Sequence, residues 1–259
     1  MRIIKLTIAY DGTGYNGWQV QRNGRTIQGE IGIASLRAFG KKCRVHGAGR
    51  TDAGVHAKRQ VAHLKVPEGI PTGKILIALN SSLPEDIVIV SAVEVKEDFH
   101  ARYSAKRKHY RYSILNTRKS DPFKGRYSWR VPYKLDVPLM KKEAACLVGT
   151  HDFKSFQASD KKEVSSVRKI FYIKIQKKGS LITMDIEGNG FLYNMVRNIA
   201  GVLMAIGSGE ADPEWIEEVL AARDRTKAGK TAPSGGLYLS HVTYDKKFNL
   251  PQINSQTIV

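Results

Sequence analysis

Residues Gly47–Ala57 read GAGRTDAGVHA. Glycines 47, 49 and 54 surround one carboxylate, Asp52, with Arg50 two residues before it and His56 four after. Asp, Gly and Thr form neither helix nor strand well, so the stretch is expected to be a tight loop. It follows a short predicted strand, Cys43–Val45, and precedes a longer one, Gln60–Val66, in which Ala62, Leu64 and Val66 point inward. Glycine lets the backbone bend sharply and lets another molecule come close. A lone Asp in such a place serves equally as a turn former, a helix cap or a reactive carboxylate.

Outward from this loop, periodicity predicts the first half of the chain. Arg2–Tyr10 is a strand with Ile4, Leu6, Ile8 and Tyr10 on one face. Asp11–Trp18 is a glycine-rich loop, and Ile27–Phe39 a helix with Ile27, Ile31, Ala34 and Ala38 at helical spacing. Lys74–Asn80 is a short helix, and Ile87–Val95 an apolar strand expected to be buried on both faces. The order is β-α-β-β-α-β, a split βαβ unit. After a linker, Lys96–Lys106, the order recurs. Lys108–Leu115 is a strand with Tyr110, Tyr112 and Ile114 on one face. Met140, Ala144, Leu147 and Val148 mark a helix, and Val167–Lys177 and Leu181–Glu187 are strands around a turn. Phe191–Ile206 is a long apolar helix, Asp212 with Pro213 opens another, and Leu237–Tyr244 is the last strand. The expected class is α+β: residues 1–105 and 106–247 as two halves, and 248–259 as a polar tail. Sheets set side by side would leave a cleft where the halves meet.

Lys and Arg number 42 against 24 acidic residues, a net charge of +18 on 259 residues. Self-repulsion of that size is relieved by a polyanion, with nucleic acid the leading choice. The two cysteines, Cys43 and Cys146, form no C-x-x-C unit, as expected of a reduced cytoplasmic protein. The N-terminus MRIIKLTIAY alternates like a strand, and the longest apolar run, Gly190–Gly207, is broken by Arg197, so no membrane span is expected.

Arg197 is the only charge between Glu187 and Glu210. A cation in so apolar a helix needs a carboxylate, and pseudo-symmetry nominates Asp52; another acid would serve structurally. Paired this way, Asp52 is expected to stay ionised below its usual range. By the residues alone, Tyr110 reads as a core ring beside Tyr112, with a stacking platform for an unpaired base the alternative. Phe99-His100-Ala101-Arg102-Tyr103 and Arg223–Lys230 mix cations with aromatics or polar groups, suiting either phosphate contact or a solvated surface. His46, Asp52 and His56 would be the ligands of a rival metal site, though no HxxxH or C-x-x-C pairing supports it.

GAGRTDAGVHA, together with YDGTGYNGWQVQ (Tyr10–Gln21), TIQGE (Thr26–Glu30), LNSSLPEDI (Leu79–Ile87), DFHARYSAKRKHYRYSI (Asp98–Ile114), HDFKSF (His151–Phe156), FLYNMVRNIAG (Phe191–Gly201) and GLYLSHVTY (Gly236–Tyr244), resembles the tRNA pseudouridine synthase A family in order along nearly the whole chain. The resemblance implies two ferredoxin-like halves in one mostly antiparallel sheet. It implies conversion of uridines 38, 39 and 40 of the tRNA anticodon stem-loop to pseudouridine by a homodimer without cofactor or metal. It makes Asp52 the catalytic aspartate, Tyr110 the active-site tyrosine and Arg197 the arginine paired with Asp52. Substrate contact is then expected from Arg50, Phe99, His100, Ala101, Arg102, Tyr103 and Tyr110, and from Asp160, Lys161 and Lys162 in the stretch DKKEV, which departs from the more neutral family pattern. An RNA-binding protein without chemistry and a metal-dependent phosphodiesterase are the competing classes.

Overall fold

In the computed structural model, which describes residues 1–158 and 165–248, ten strands form one sheet flanked by helices. The strands are β1 (Arg2–Tyr10), β2 (His46–Gly47), β3 (His56–Val66), β4 (Ile87–Val95), β5 (Ala105–Asn116), β6 (Trp129–Val131), β7 (Gly149–Asp152), β8 (Val167–Lys178), β9 (Leu181–Gly188) and β10 (Leu237–Tyr244). The helices are α1 (Ile27–Phe39), α2 (Thr72–Asn80), α3 (Val137–Ala144), α4 (Met195–Ser208) and α5 (Trp215–Ala222).

The two halves have the expected ferredoxin-like strand order. The first runs β4-β1-β3-β2 and the second β10-β5-β9-β8, each being fourth, first, third, second. They differ in the second strand. In the first half β2 has two residues, pairing only with Ala62 and His63 of β3. The beginning of β3 is left open, and β10 fills it, with Tyr238 opposite His56 and Leu239 opposite Ala57 in a parallel pair. One continuous sheet results, antiparallel except at β3–β10 and β5–β6.

Alternation along the strands sorts the two faces. Ile4, Leu6, Ile8, Ala62, Leu64, Tyr110, Tyr112, Met184 and Ile186 meet Ile31, Ile75, Ile199 and Leu203 of the helices in the main core. α1 starts at Thr26, whose hydroxyl accepts from Gly29 N–H, and stops at Gly40 in the left-handed region, caps of the usual kind. On the opposite face of the first half a smaller core gathers Ile3, Val61, Val95, Phe99, Ala101, Tyr244 and Phe248.

Five expectations are corrected. Cys43–Val45 is not a strand, because α1 takes its backbone groups: Cys43 N–H donates to Ser35 Oγ and Gln28 Nε2 donates to Val45 O. The third strand begins at His56, not Gln60, so the end of the glycine-rich stretch is already in the sheet. α4 begins at Met195 rather than Phe191, since Asn194 has φ 60°. α5 begins at Trp215 rather than Pro213, since Glu214 has φ 72°. β4 is an edge strand buried on one face only: Val88 and Val90 are 46% and 48% exposed. Phe248, the first residue of the expected tail, is buried and its carbonyl accepts from Lys5 Nζ; 249–259 lie outside the described residues.

These two environments differ measurably. Leu6→Ala is expected to lower unfolding free energy by about 2–5 kcal/mol, and Val90→Ala by no more than about 0.5 kcal/mol. Urea unfolding followed by circular dichroism checks both, and a comparable loss in the two variants would contradict the one-sided burial of β4.

Candidate active site

The Asp52 loop is held from both sides. From its own half, Trp18 N–H donates to Thr51 O at 3.0 Å, and Tyr10 and Thr51 share a buried hydroxyl hydrogen bond of 2.8 Å. Gly17, at φ 84°, sits so close that a Cβ there would fall 2.6 Å from Thr51 O. From the other half, Ser234 packs on Gly54, whose φ is 75°; a Cβ on Gly54 would meet Ser234 Oγ at 2.5 Å. Val55 N–H closes the turn onto Asp52 O at 3.1 Å. The glycines are thus required by conformation and by close approach together.

Arg197 enters from α4 and the same second-half segment holds it. Its Nε donates to Ala232 O at 2.7 Å, its own carbonyl accepts from Ala232 N–H, and its Nη1 donates to Asn194 Oδ1 at 2.8 Å. The left-handed backbone of Asn194, which Asn tolerates better than most residues, places that carboxamide. Arg197 Nη1 then stands 3.6 Å from Asp52 Oδ2, with both side chains under one-fifth exposed. This is an ion pair without a short hydrogen bond. Arg197 does not grip the carboxylate with two nitrogens, because Nε and Nη1 are already engaged by Ala232 and Asn194. Among the described residues, Asp52 is the acid that faces Arg197.

The electrostatics also differ from expectation. Burial pushes the Asp52 carboxyl above the usual carboxylate range, and Arg197 pulls it only part of the way back. Desolvation outweighs the pair because the nearest guanidinium nitrogen is 3.6 Å away. Tyr110 is 7% exposed on β5, its ring edge-on to Phe191 at 5.2 Å. Burial raises its hydroxyl, and the nearby Tyr10 hydroxyl and Asp52 charge raise it further, so it stays protonated beside the carboxylate. Tyr110 belongs to the core, one of the two readings its residues allow, and it borders Asp52.

The other expected contact residues are dispersed. Arg50 is exposed. Phe99 is 2% exposed and packs on Tyr244 and Phe248 in the smaller core, and Ala101 is fully buried with its N–H on His63 Nδ1. Neither presents a surface to a ligand; the mixed run read as a contact strip because its aromatic was assigned to the outside. His100 is half-buried, edge-on to His46 and His63, while Arg102 and Tyr103 are exposed, Tyr103 by 78%. Asp160, Lys161 and Lys162 lie outside the described residues.

The rival metal ligands do not converge. His46 stacks on His63 at 4.9 Å. His56 accepts from Gly12 N–H at Nδ1, so the proton sits on Nε2, 3.2 Å from Gly235 O. Among the described residues, no three His, Cys, Asp or Glu side chains are arranged to hold a metal ion, and no helix is long and apolar enough to cross a membrane. A cavity of about 770 Å³ lined by Cys146, His151, Asp152, Glu217 and Arg223 contains none of the residues around Asp52.

Sequence reasoning passed over Lys108 and Arg168. Lys108 shares a strand face with Tyr110 by simple alternation, yet it sits in a basic run, Lys106-Arg107-Lys108-His109, that reads as solvated surface.

The site's sequence context has relatives. The family model described as tRNA pseudouridine synthase matches residues 6–104 and 144–245. The chain is 46% identical over 244 residues to a protein of Thermoanaerobacter sp. (strain X514) named tRNA pseudouridine synthase A, covering 94% of this chain and 100% of that one. Proteins of the same name from Ruminiclostridium cellulolyticum and Moorella thermoacetica are 47% and 48% identical over 245 and 246 residues, again covering 94% of this chain and all of theirs.

A carboxyl raised on folding binds its proton more tightly in the native state, so its charge costs stability at neutral pH. That cost fades as pH falls through the native value. Asp52→Asn is therefore expected to melt no lower than the unchanged protein at pH 7. The difference in Tm is expected to narrow as pH falls toward the carboxylate range. A variant clearly less stable at pH 7, with the gap closing on acidification, would reverse the sign and show the ion pair outweighing burial.

Proposed function

We propose, from the premise that this chain belongs to the tRNA pseudouridine synthase A family and isomerises uridine in tRNA, that Asp52 is the carboxylate at which the target's glycosidic bond is broken and remade. The observation that carries this reading is the placement of Asp52 on a loop fixed from both halves, facing Arg197 and bordered by Tyr110. In the reaction the N1–C1′ bond breaks, the uracil turns, and C5 joins C1′. C5 loses its proton and N1 gains one, so atoms and electrons balance within the substrate. The step needs a group that stabilises or attacks the sugar–base junction, and a carboxylate does this as nucleophile or base.

The raised pKa fits that work. A carboxylate held by burial is a stronger base and nucleophile than one pinned in a short salt bridge, and Arg197 still supplies charge to keep it ionised and oriented. Tyr110, protonated and backed by Phe191, offers a ring face to the freed uracil while it turns. The uridine leaves its stack to reach this pocket. The targets are uridines 38, 39 and 40 of the anticodon stem-loop. Arg50, Arg102 and Tyr103 are the exposed members of the expected contact set, with Asp160, Lys161 and Lys162 completing it by resemblance. The working units are residues 1–105 and 106–247, with 248–259 a tail, and the enzyme acts in the cytoplasm as a homodimer.

The decisive test incubates the protein with unmodified tRNA and locates pseudouridine by carbodiimide-directed primer extension. Asp52→Asn is expected to abolish product while changing tRNA affinity less than threefold or so, because affinity comes mostly from phosphate contacts. Product formation near the unchanged rate would remove Asp52 from its role. Sedimentation equilibrium at micromolar concentration is expected to return twice the chain mass of 28.9 kDa, and a single-chain mass would overturn the dimer.

A further inference from the structure

Lys108 leaves β5 on the Tyr110 face, two residues before it, and its ammonium comes to the backbone of Gly49, three residues before Asp52. A Cβ at Gly49 would stand 3.3 Å from Lys108 Nζ. Gly49 does not hold the ammonium through its carbonyl, which accepts from Gln60 Nε2 at 3.0 Å. The neighbours of Lys108 in the chain each find an acid, Lys106 pairing with Asp245 and Arg107 with Glu187. Lys108 has no such carboxylate among the described residues. What stands near it instead is more positive charge. Burial first, and then repulsion from Arg102 and Arg168, bring its pKa down to about 8.

Arg168 is built into this place rather than left waving. Its Nη1 donates to Ser165 O at 2.7 Å and to Val167 O at 2.6 Å, and its Nε lies beside Gly190, 3.7 Å from where a Cβ would be. Burial lowers its pKa as well. Strand register carries Lys108 and Arg168 to the same end of the sheet, since Lys108 lies opposite Gly188 of β9 and Gly188 lies opposite Ile170 of β8, and neither cation is paired with a carboxylate among the described residues. Bringing like charges together out of water is unfavourable unless an anion completes the set. Lysine and arginine around exposed backbone are the ordinary means of holding a phosphate.

We propose that Lys108 and Arg168 clasp the RNA phosphodiester that flanks the target uridine, and so fix its C1′ against Asp52. The proposal rests on the isomerase reading above. One sugar separates a nucleotide's C1′ from its own phosphate, and one turn of loop, Gly49-Arg50-Thr51, separates the clasp from Asp52. The bare backbone at Gly49 leaves the space in front of Nζ that a side chain would fill.

The test uses the full chain and anticodon-arm RNAs carrying a single uridine in the 38–40 window, each with one neutral methylphosphonate linkage at a different position. Equilibrium affinity and single-turnover rate are measured for the unchanged protein, Lys108→Met, Lys108→Gln and Lys108→Arg. Loss of one charge-assisted phosphate contact is expected to lower binding, rate or both by roughly tenfold to a hundredfold in the Met and Gln variants, with Arg restoring most of it. At one linkage beside the target, methylphosphonate is expected to produce the same loss in the unchanged protein and no further loss in Lys108→Met. Additive losses at every linkage, or Lys108→Met and Lys108→Gln both within twofold of the unchanged protein, would overturn the clasp. Binding is read without turnover, so the two readings fail separately. No pseudouridine with one non-additive linkage would sink the isomerase assignment and keep the clasp. Normal pseudouridine with no such linkage would do the reverse.

Discussion

The parallel pairing of β3 with β10 is the joint on which the molecule depends. It exists because β2 is cut to two residues, leaving the edge of β3 away from β1 open at its start. An open strand edge is ordinarily a liability, exposing unpaired N–H and C=O groups to any passing chain. Here the last strand of the second half occupies it. The pairing falls on His56 and Ala57, immediately after the turn that carries Asp52. The same chain segment that leads into β10 also touches everything that matters. Ala232 holds Arg197, Pro233 O accepts from the Tyr112 hydroxyl, Ser234 packs on Gly54, and Gly235 O meets His56. Four residues therefore set the separation of a carboxylate from one half and a guanidinium from the other.

The consequences for the site's chemistry come from the same packing. Because the Arg197 fork is used on Ala232 and Asn194, the cation is rigid but stands back from Asp52. A closer, bidentate pair would hold the carboxylate in a deeper well and blunt its reactivity. The arrangement gives orientation and charge while leaving the oxygen atoms free of short hydrogen bonds to that arginine. Tyr110 adds an uncharged wall: its hydroxyl is kept from ionising by burial and by the negative charge next to it.

Much of this was legible in the sequence where residues contradicted their surroundings. A lone Asp among glycines and a lone Arg in an apolar helix each demanded an explanation, and each proved to be the other's. Strand alternation gave the helix-facing side of β1 and β5 without error at Ile4, Leu6, Ile8, Tyr110 and Tyr112. Failures came where local pattern carries no information about what lies above the sheet. Val88 and Val90 look like core residues, but β4 is an edge with only one covered face. Phe99 sits among charges and reads as exposed, yet the linker folds back over the sheet and makes it a keystone of the smaller core. Lys108 shows the opposite error, a half-buried cation hidden in a run of solvated ones. Arg168 comes to the same place from a strand sixty residues later in the chain, a proximity that only register can supply.

A seam made of backbone hydrogen bonds has a mechanical consequence. Many two-part enzymes close like a jaw around a hinge, and the energy of closure assembles the reacting groups. Here, among the described residues, parting the halves would break the β3–β10 ladder and the contacts of residues 232–235 together. The separation of Asp52 and Arg197 is thereby set by the sheet itself, through the same hydrogen bonds that join the two halves.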